Sequence, residues 1–138
     1  MLSRYFFLGL TLLNIKTLEA GRNISTEDIV NIRYVKSATM SPNGENIAYE
    51  LSIPQSNGIK LKSRTTQLWV MRKQDLKPIQ FTSSYHDSFS PQWIRNGSEI
   101  TFLSNRKHIS HKSQLFSISI NGGEANLMFE HPSGINSY

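Results

Sequence analysis

The sequence predicts an all-β fold in which two four-stranded units follow one another along the chain. A short pattern occurs twice: Met40–Tyr49 followed by Gln67–Met71 returns as Trp93–Phe102 followed by Gln114–Ile118. The equivalent Asn-Gly pairs lie 53 residues apart and the equivalent Gln-Leu pairs 47 residues apart. A period near 50 residues is typical of propeller blades, and apolar residues alternate within each segment as they do in strands. The chain therefore reads as about two blades of a β-propeller.

A short helix is expected before the first blade, in an entry segment that covers residues 21–35. Thr26–Arg33 has the polar start and apolar spacing of one helix, with Thr26 as its N-cap. The two acidic residues after Thr26 suit the positive end of the helix dipole. Ile29 and Ile32 lie three positions apart and would form its inward stripe.

The first blade is expected over residues 36–83. Its predicted strands are Val35–Met40, Asn46–Ile53, Thr66–Met71 and Pro78–Thr82. Asn43-Gly44 is a strong hairpin signal because both residues tolerate positive φ. Pro54 should end the second strand, and Gln55–Thr65 should form a polar loop.

The second blade is expected over residues 84–130 in the same order. Its predicted strands are Phe89–Ile94, Glu99–Ser104, Ser113–Ile120 and Glu124–Phe129. Pro91 should interrupt the first of them, and Asn96-Gly97 should form the hairpin turn. Asn105–Lys112 is the expected loop.

The two ends of the chain carry different signals. Residues 1–20 read as a secretory signal peptide, with Arg4 ahead of a short apolar run and small Ala20 at a tolerable cleavage position. The run is too short to span a bilayer, so membrane contact is expected only during secretion, and the location is secreted or periplasmic. Residues 131–138 resemble the start of a third blade, so we expect an incomplete fragment of a larger propeller.

Composition excludes several kinds of chemistry. The chain has no cysteine, which excludes disulfides, thiolate catalysis and cysteine-ligated metals. Net charge is +5, but the basic residues are scattered. One cluster lies in a probable loop (Lys60, Lys62 and Arg64), and a second, looser one contains Arg106, Lys107, His108, His111 and Lys112. No aromatic stacking platform is interleaved with them, so no nucleic-acid partner is expected.

Two polar groups could suggest catalysis or metal binding, and both are better explained structurally. His86, Asp87 and Ser88 are adjacent, whereas the members of a catalytic triad come from separate loops, so an inter-blade linker is expected. His108 and His111 lack an accompanying carboxylate ligand, so a solvated loop is expected. No catalytic residue, cofactor or metal is expected in this chain.

The remaining motifs also favour structural roles. Asn121-Gly-Gly123 lacks the Lys-Ser/Thr of a phosphate loop and reads as a hairpin turn. The large aromatic residues Trp69, Trp93 and Phe116 are expected to pack between blades rather than to line a ligand pocket. Two Asn-x-Ser sequons occur, at Asn23 and Asn96, and glycosylation at either is left open.

Several of these motifs resemble the prolyl oligopeptidase family. Ser41–Tyr49 resembles the Ser-Pro-Asp-Gly-x-x-Ile-Ala-Phe repeat of Tol-type and prolyl oligopeptidase-type propellers, with Asn43 in place of the usual Asp. Gln67–Met71 resembles its Leu-Trp-Val strand. Thr26–Val35 is similar to the entry helix of the acylaminoacyl peptidase and dipeptidyl peptidase branch, and Thr101–Arg106 also suits that branch.

The resemblance implies a gating role rather than catalysis by this chain. Family members join such a propeller to a C-terminal α/β-hydrolase domain that carries the Ser, Asp and His of the triad, with Ser in a Gly-x-Ser-x-Gly elbow. This sequence contains no such elbow. The implied partners are the hydrolase domain of a longer chain and, in the parent enzyme, peptide substrates. We expect the chain itself to be inactive.

Two other interpretations remain open from the residues. The chain could belong to a Tol-type propeller that binds proteins and has no enzymatic domain. It could also be a small β protein that folds alone, although the third, interrupted repeat argues against this. The sequence after Tyr138 would distinguish them.

Overall fold

The computed structural model describes residues 21–56, 60–83, 85–106 and 112–138, and they form two four-stranded antiparallel sheets and one short helix. The all-β prediction, with two four-stranded blades after a short helix, is confirmed. The predicted signal peptide at residues 1–20 lies outside the described residues.

The helix, α1, spans Thr26–Val30 and ends three residues before the predicted end at Arg33. Ser25, not Thr26, is its N-cap, because the Ser25 hydroxyl accepts the amide of Asp28 while the Asp28 carboxylate accepts the amide of Ser25. Arg22 pairs with the same carboxylate and is the main cause that lowers the pKa of Asp28. The predicted inward stripe is wrong: Ile29 and Ile32 are both more than half exposed.

The first sheet has the strand order β1-β2-β3-β4, joined by hairpins. Its strands are β1 (Tyr34–Met40), β2 (Asn46–Ser56), β3 (Leu61–Arg72) and β4 (Pro78–Gln80). The hairpin between β2 and β3 is longer than predicted, since Pro54 pairs with Arg64 instead of ending the strand. On the opposite side of β2, the pairing with β1 ends at Ser52. Pro54 lies beyond that point, so its missing N–H interrupts no pairing with β1.

The second sheet repeats this order as β5-β6-β7-β8. Its strands are β5 (Ser88–Ile94), β6 (Glu99–Ser104), β7 (Gln114–Ser119) and β8 (Asn126–Phe129), with a single 3₁₀ turn, Arg95–Gly97, between the first two. The predicted interruption at Pro91 is a shift of register between Phe89 and Gln92, where Ser90 takes a positive φ of 55°.

The two sheets stack and share one apolar core. The core is made of Ala48, Leu68 and Val70 from the first sheet and Ile100, Phe102, Phe116 and Ile118 from the second. In the sequence repeat, Tyr49 is equivalent to Phe102 and Trp69 to Phe116. Because neighbouring side chains in a strand point to opposite faces, the first sheet buries the face opposite to that of Tyr49 and Trp69. Each sheet therefore contributes a different face, which is the arrangement of successive blades.

The two Asn-Gly turns meet at one end of this stack. In the first, the Asn43 side chain accepts the Ser41 hydroxyl at 2.6 Å and the Glu45 amide at 3.2 Å. In the second, Gly97 is buried with a φ of +86°, and a Cβ built on it would lie 3.3 Å from Ser41 Cβ. This glycine thus brings the second sheet against the turn of the first.

We expect Gly97→Ala to destabilise the fold more than Gly44→Ala. Both positions have positive φ, which costs an L-residue about 1–2 kcal/mol, but Gly44 has no heavy atom within 4 Å of the added Cβ. Gly97→Ala adds the contact with Ser41 to the same conformational cost. Urea unfolding of both variants measures the difference, and equal losses of free energy would show that the inter-sheet contact is unimportant.

Candidate functional site

One set of polar side chains lies along the contact between the two sheets. We call it the inter-sheet seam, and it consists of Ser37, Glu50, Thr66, Asp87, Ser88, Ser90, Ser104 and Arg106. Glu50 on β2 lies at its centre and is 7% exposed. Its Oε1 accepts the Ser37 hydroxyl at 2.8 Å and, from the second sheet, the Ser90 amide at 2.9 Å. Lys36 stands 3.9 Å from the other carboxylate oxygen. The carboxylate therefore fixes the positive-φ bulge of β5 against the first sheet.

A second carboxylate crosses the seam in the opposite direction. Asp87 precedes β5, and its Oδ1 accepts the amide of Thr66 on β3 at 2.7 Å. The Asp87 amide donates to Asn105 and its carbonyl accepts the Ser104 hydroxyl at 2.7 Å. Asp87 is thus hydrogen-bonded to both sheets, as expected of a residue in the segment that links them.

Arg106 closes the seam over the aromatic core. Its Nε donates to Ser104 at 3.1 Å and its Nη2 donates to Ser88 at 3.0 Å, and both hydroxyl-bearing residues are fully buried. The guanidinium carbon lies 5.0 Å from the centre of the Phe102 ring and 5.4 Å from that of Phe116. Burial lowers the pKa of Arg106, although the guanidinium stays charged.

A cleft of about 400 Å³ opens where the seam reaches the start of β1. It is lined by Tyr34, Lys36, Ser52, Arg64, Thr66, Asp87 and Phe89. Arg64 donates to Ser52 Oγ at 2.9 Å and lies 4.7 Å above the Tyr34 ring. The sequence placed Arg64 in a loop, but it lies in β3 and orders the entry segment through the carbonyl of Ile32.

A second groove, of about 560 Å³, lies at the opposite end between the two sheets. Arg72 crosses it and donates to the carbonyl of Ile120 at 2.5 Å. Asn121 contributes to its wall, and Gly122 and Gly123 follow with positive φ, so Asn121-Gly-Gly123 is a hairpin turn as predicted. The Arg72 side chain therefore links the two sheets at this groove through its hydrogen bond to the Ile120 carbonyl.

The structure separates the other motifs noted in the sequence. Ser88 is buried against Ser104 while Asp87 bonds to Thr66, so these two neighbours serve separate structural contacts. Phe116 is in the core and Trp93 packs against it, and the Trp93 indole donates to the Thr39 carbonyl at 3.1 Å across the sheets. Trp69 lies on the opposite face of the first sheet. His108 and His111 lie outside the described residues.

Sequence reasoning did not predict the structural bonds that Glu50, Arg64 and Arg106 make. The only local signal was a glutamate or arginine inside or beside an apolar strand, which is unusual because buried charges need a partner. Within the described ranges no group of three or more His, Asp or Glu side chains is placed to hold a metal ion. In the same part of the chain no helix is long and apolar enough to cross a membrane.

Comparison with known proteins relates the chain to peptidases. No family model matches it. It is 27% identical over 115 residues to dipeptidyl-peptidase 5 of Porphyromonas endodontalis, and 30% identical over 112 residues to the uncharacterized peptidase YuxL of Bacillus subtilis. These matches cover 83% and 81% of the chain but only 16% of each relative. The chain thus resembles a minor part of two longer proteins that are named as peptidases.

The fold is also found in solved structures. The isopeptidase AtxE2 superposes with a TM-score of 0.61 at 13% sequence identity, over 83% of this chain and 21% of that protein. The tricorn protease superposes with a TM-score of 0.53 at 19% identity, over 62% of this chain. At such identities the likeness concerns the fold alone.

Proposed function

We propose that this chain is the N-terminal propeller portion of a secreted serine peptidase of the acylaminoacyl or dipeptidyl peptidase kind. In this proposal the two blades cover an α/β-hydrolase domain and restrict which peptides reach it. The observation that carries the proposal is the similarity over four fifths of the chain to two proteins named as peptidases. The family likeness of the entry helix and of the Ser41–Tyr49 turn points the same way.

The stacking of the sheets supports a place in a larger propeller. Successive blades present unlike faces to one another, and the two sheets do so here. The segment after β8 lies against the second sheet: the Ile135 amide donates to Ser113, and the Tyr138 hydroxyl donates to the Ser90 carbonyl at 2.8 Å and reaches Thr101 Oγ1 at 3.1 Å. We propose that residues 131–138 begin a third blade there.

The gating part of the proposal rests on the rigidity of the seam. Glu50, Asp87 and the Trp93 indole each bond across the two sheets to a backbone group. A filter that excludes large peptides must not open between its blades, and these bonds resist such opening. Secretion, through residues 1–20, is the remaining part of the proposal.

The proposal is tested first on the coding sequence and on labelling by a fluorophosphonate probe. Further blades, then a Gly-x-Ser-x-Gly segment with later Asp and His, are expected beyond Tyr138. The longer protein should be labelled, and the 138-residue chain should not. Labelling of the short chain, or blades with no hydrolase segment, would contradict the proposal, and the latter would leave a protein-binding propeller.

Gating itself is tested in the labelled longer protein with Trp93→Ala. Loss of the indole removes the bond to Thr39 and a wall of the inter-sheet packing, so hydrolysis of a large unfolded protein should rise relative to that of a dipeptidyl chromogenic substrate. Tyr85→Ala, at an 86% exposed position, is the control. An unchanged ratio in both variants would remove the gating role and leave the peptidase assignment intact.

A further inference from the structure

Three Asn-Gly turns lie within the described residues: Asn43-Gly44, Asn96-Gly97 and Asn121-Gly122. Asparagine before glycine is chemically labile, because a glycine has no side chain to keep its amide nitrogen away from the asparagine side-chain carbonyl carbon. Attack by that nitrogen closes a succinimide ring. It requires a free side-chain carboxamide and a glycine amide that can rotate, and the three turns differ in both respects.

The first turn holds both reacting groups. The Asn43 Oδ1 accepts the Ser41 hydroxyl at 2.6 Å and the Glu45 amide at 3.2 Å, and its Nδ2 donates to the Glu45 carboxylate at 3.1 Å. The Gly44 amide donates to the Ser41 carbonyl at 2.9 Å. These bonds must break before the ring can close, so Asn43 is protected.

The turn at Asn121 holds one of the two groups. The Gly122 amide donates to the Ser119 carbonyl at 2.9 Å, in the same way as the glycine of the first turn. The exposed Asn121 carboxamide makes no hydrogen bond to a described residue. Ring closure at Asn121 therefore has to break a backbone bond first.

The turn at Asn96 holds neither group in this way. Its backbone bond is made one residue later than in the other turns, by the Ser98 amide at 3.2 Å from the Arg95 carbonyl. The exposed Asn96 carboxamide makes no hydrogen bond to a described residue. Arg95 and Asn96 have φ values of 49° and 56°, a conformation that is unfavourable for a residue such as arginine. The turn is therefore strained as well as weakly bonded.

The contrast comes from the sequence of each turn and not from the neighbouring sheets. Ile94 takes the place of Ser41 in the repeat and has no hydroxyl to donate, and the place of Glu45 is taken by a serine, which has no carboxylate. Asn43 stays exposed although the second sheet stacks against its turn. A further sheet stacked in the same way on the second one would likewise leave Asn96 exposed.

We propose that Asn96 is a site of spontaneous deamidation to aspartate and isoaspartate, and that this conversion weakens the contact between the two sheets. The Gly97 amide nitrogen loses its proton and bonds to the Asn96 side-chain carbonyl carbon. The bond from that carbon to Nδ2 breaks, and ammonia leaves with the proton. Water then opens the succinimide at either carbonyl, which gives aspartate or isoaspartate.

Isoaspartate at this position displaces the contact that Gly97 makes. It carries the backbone through the side-chain carbon and so adds a methylene to the chain immediately before Gly97. This glycine is buried against the first sheet, and a Cβ built on it would lie 3.3 Å from Ser41 Cβ and 3.5 Å from Pro42 Cδ. A close-packed contact cannot take an additional backbone atom without shifting. The modified chain should therefore unfold at a lower urea concentration.

The first test follows the three sites by mass-spectrometric peptide mapping after incubation in mildly alkaline buffer, with and without urea. Asn57→Gln is present in every sample, because Asn57-Gly58 is an Asn-Gly pair outside the described residues. In the folded chain Asn96 should convert about tenfold faster than Asn43 or Asn121, since their bonds have to break first. In urea the three sites should convert at similar rates. Circular dichroism establishes that the sample without urea is folded.

Two matched variants of this parent chain connect the chemistry with the stability. Asn96→Gln, whose longer side chain closes a ring far more slowly, should abolish the rapid release of ammonia, whereas Asn43→Gln should leave it unchanged. The parent chain should unfold at a lower urea concentration after incubation, and Asn96→Gln should not change. Equal conversion of the three sites in the folded chain would overturn the site. A modified parent chain as stable as the fresh one would overturn its effect on the contact between the sheets.

Discussion

Phe102→Ala is expected to lower the free energy of unfolding by roughly 3–5 kcal/mol, the usual cost of truncating a buried phenylalanine. Phe102 is fully buried, and its ring stacks on that of Phe116 with centroids 6.0 Å apart. The substitution leaves a cavity at the contact between the two sheets. It also removes one of the two rings beneath the Arg106 guanidinium. Urea unfolding followed by tryptophan fluorescence measures the loss.

Tyr85→Ala is the appropriate control, since Tyr85 loses an aromatic ring at a position that is 86% exposed. It should change the free energy of unfolding by no more than about 0.5 kcal/mol. If Phe102→Ala were equally mild, the two sheets would not share a core and the stacked arrangement would be wrong.

Glu50→Ala is expected to lower the free energy of unfolding by roughly 1–3 kcal/mol, because two part-buried hydrogen bonds to a charged acceptor are lost. The Ser90 amide and the Ser37 hydroxyl both donate to the same carboxylate oxygen. Ser90 adopts a positive φ that a serine does not favour, so the bulge of β5 depends on this bond. Amide hydrogen exchange at Ser90 should therefore accelerate more than exchange elsewhere in β5.

Two further variants separate the bonds from the charge. Glu50→Gln keeps one acceptor oxygen and should recover part of the loss, whereas Asp75→Ala removes a carboxylate from an exposed position and should have little effect. A Glu50→Ala variant as stable as the wild type would mean that water replaces the carboxylate at the bulge.

The order of the strands was predictable because local signals determine it. The Asn43-Gly44 and Asn96-Gly97 turns and the alternation of apolar residues are properties of short segments, and the repeat gave each signal twice. The interruption at Pro91 was predictable for the same reason, since proline removes a backbone donor wherever it occurs.

Errors arose where the outcome depends on residues distant in sequence. Pro54 was expected to end β2, because proline cannot donate a hydrogen bond to a neighbouring strand. In the sheet, β1 ends before it reaches Pro54, and this could not be known before the strands were paired. The spacing of Ile29 and Ile32 predicts a helix face but not what covers it, and both are exposed in this structure. Glu50 and Asp87 find their partners 40 and 21 residues away, so no local pattern could have indicated the seam.

The two sheets bury faces that are not equivalent in the repeat, so each sheet has a distinct front and back in the stack. The back of one sheet meets the front of the other, so a stacked pair leaves one front and one back unmatched. Duplication of a gene segment one period long would insert a unit whose front and back are both already matched. Adding or removing a whole unit would therefore require no new kind of contact between units.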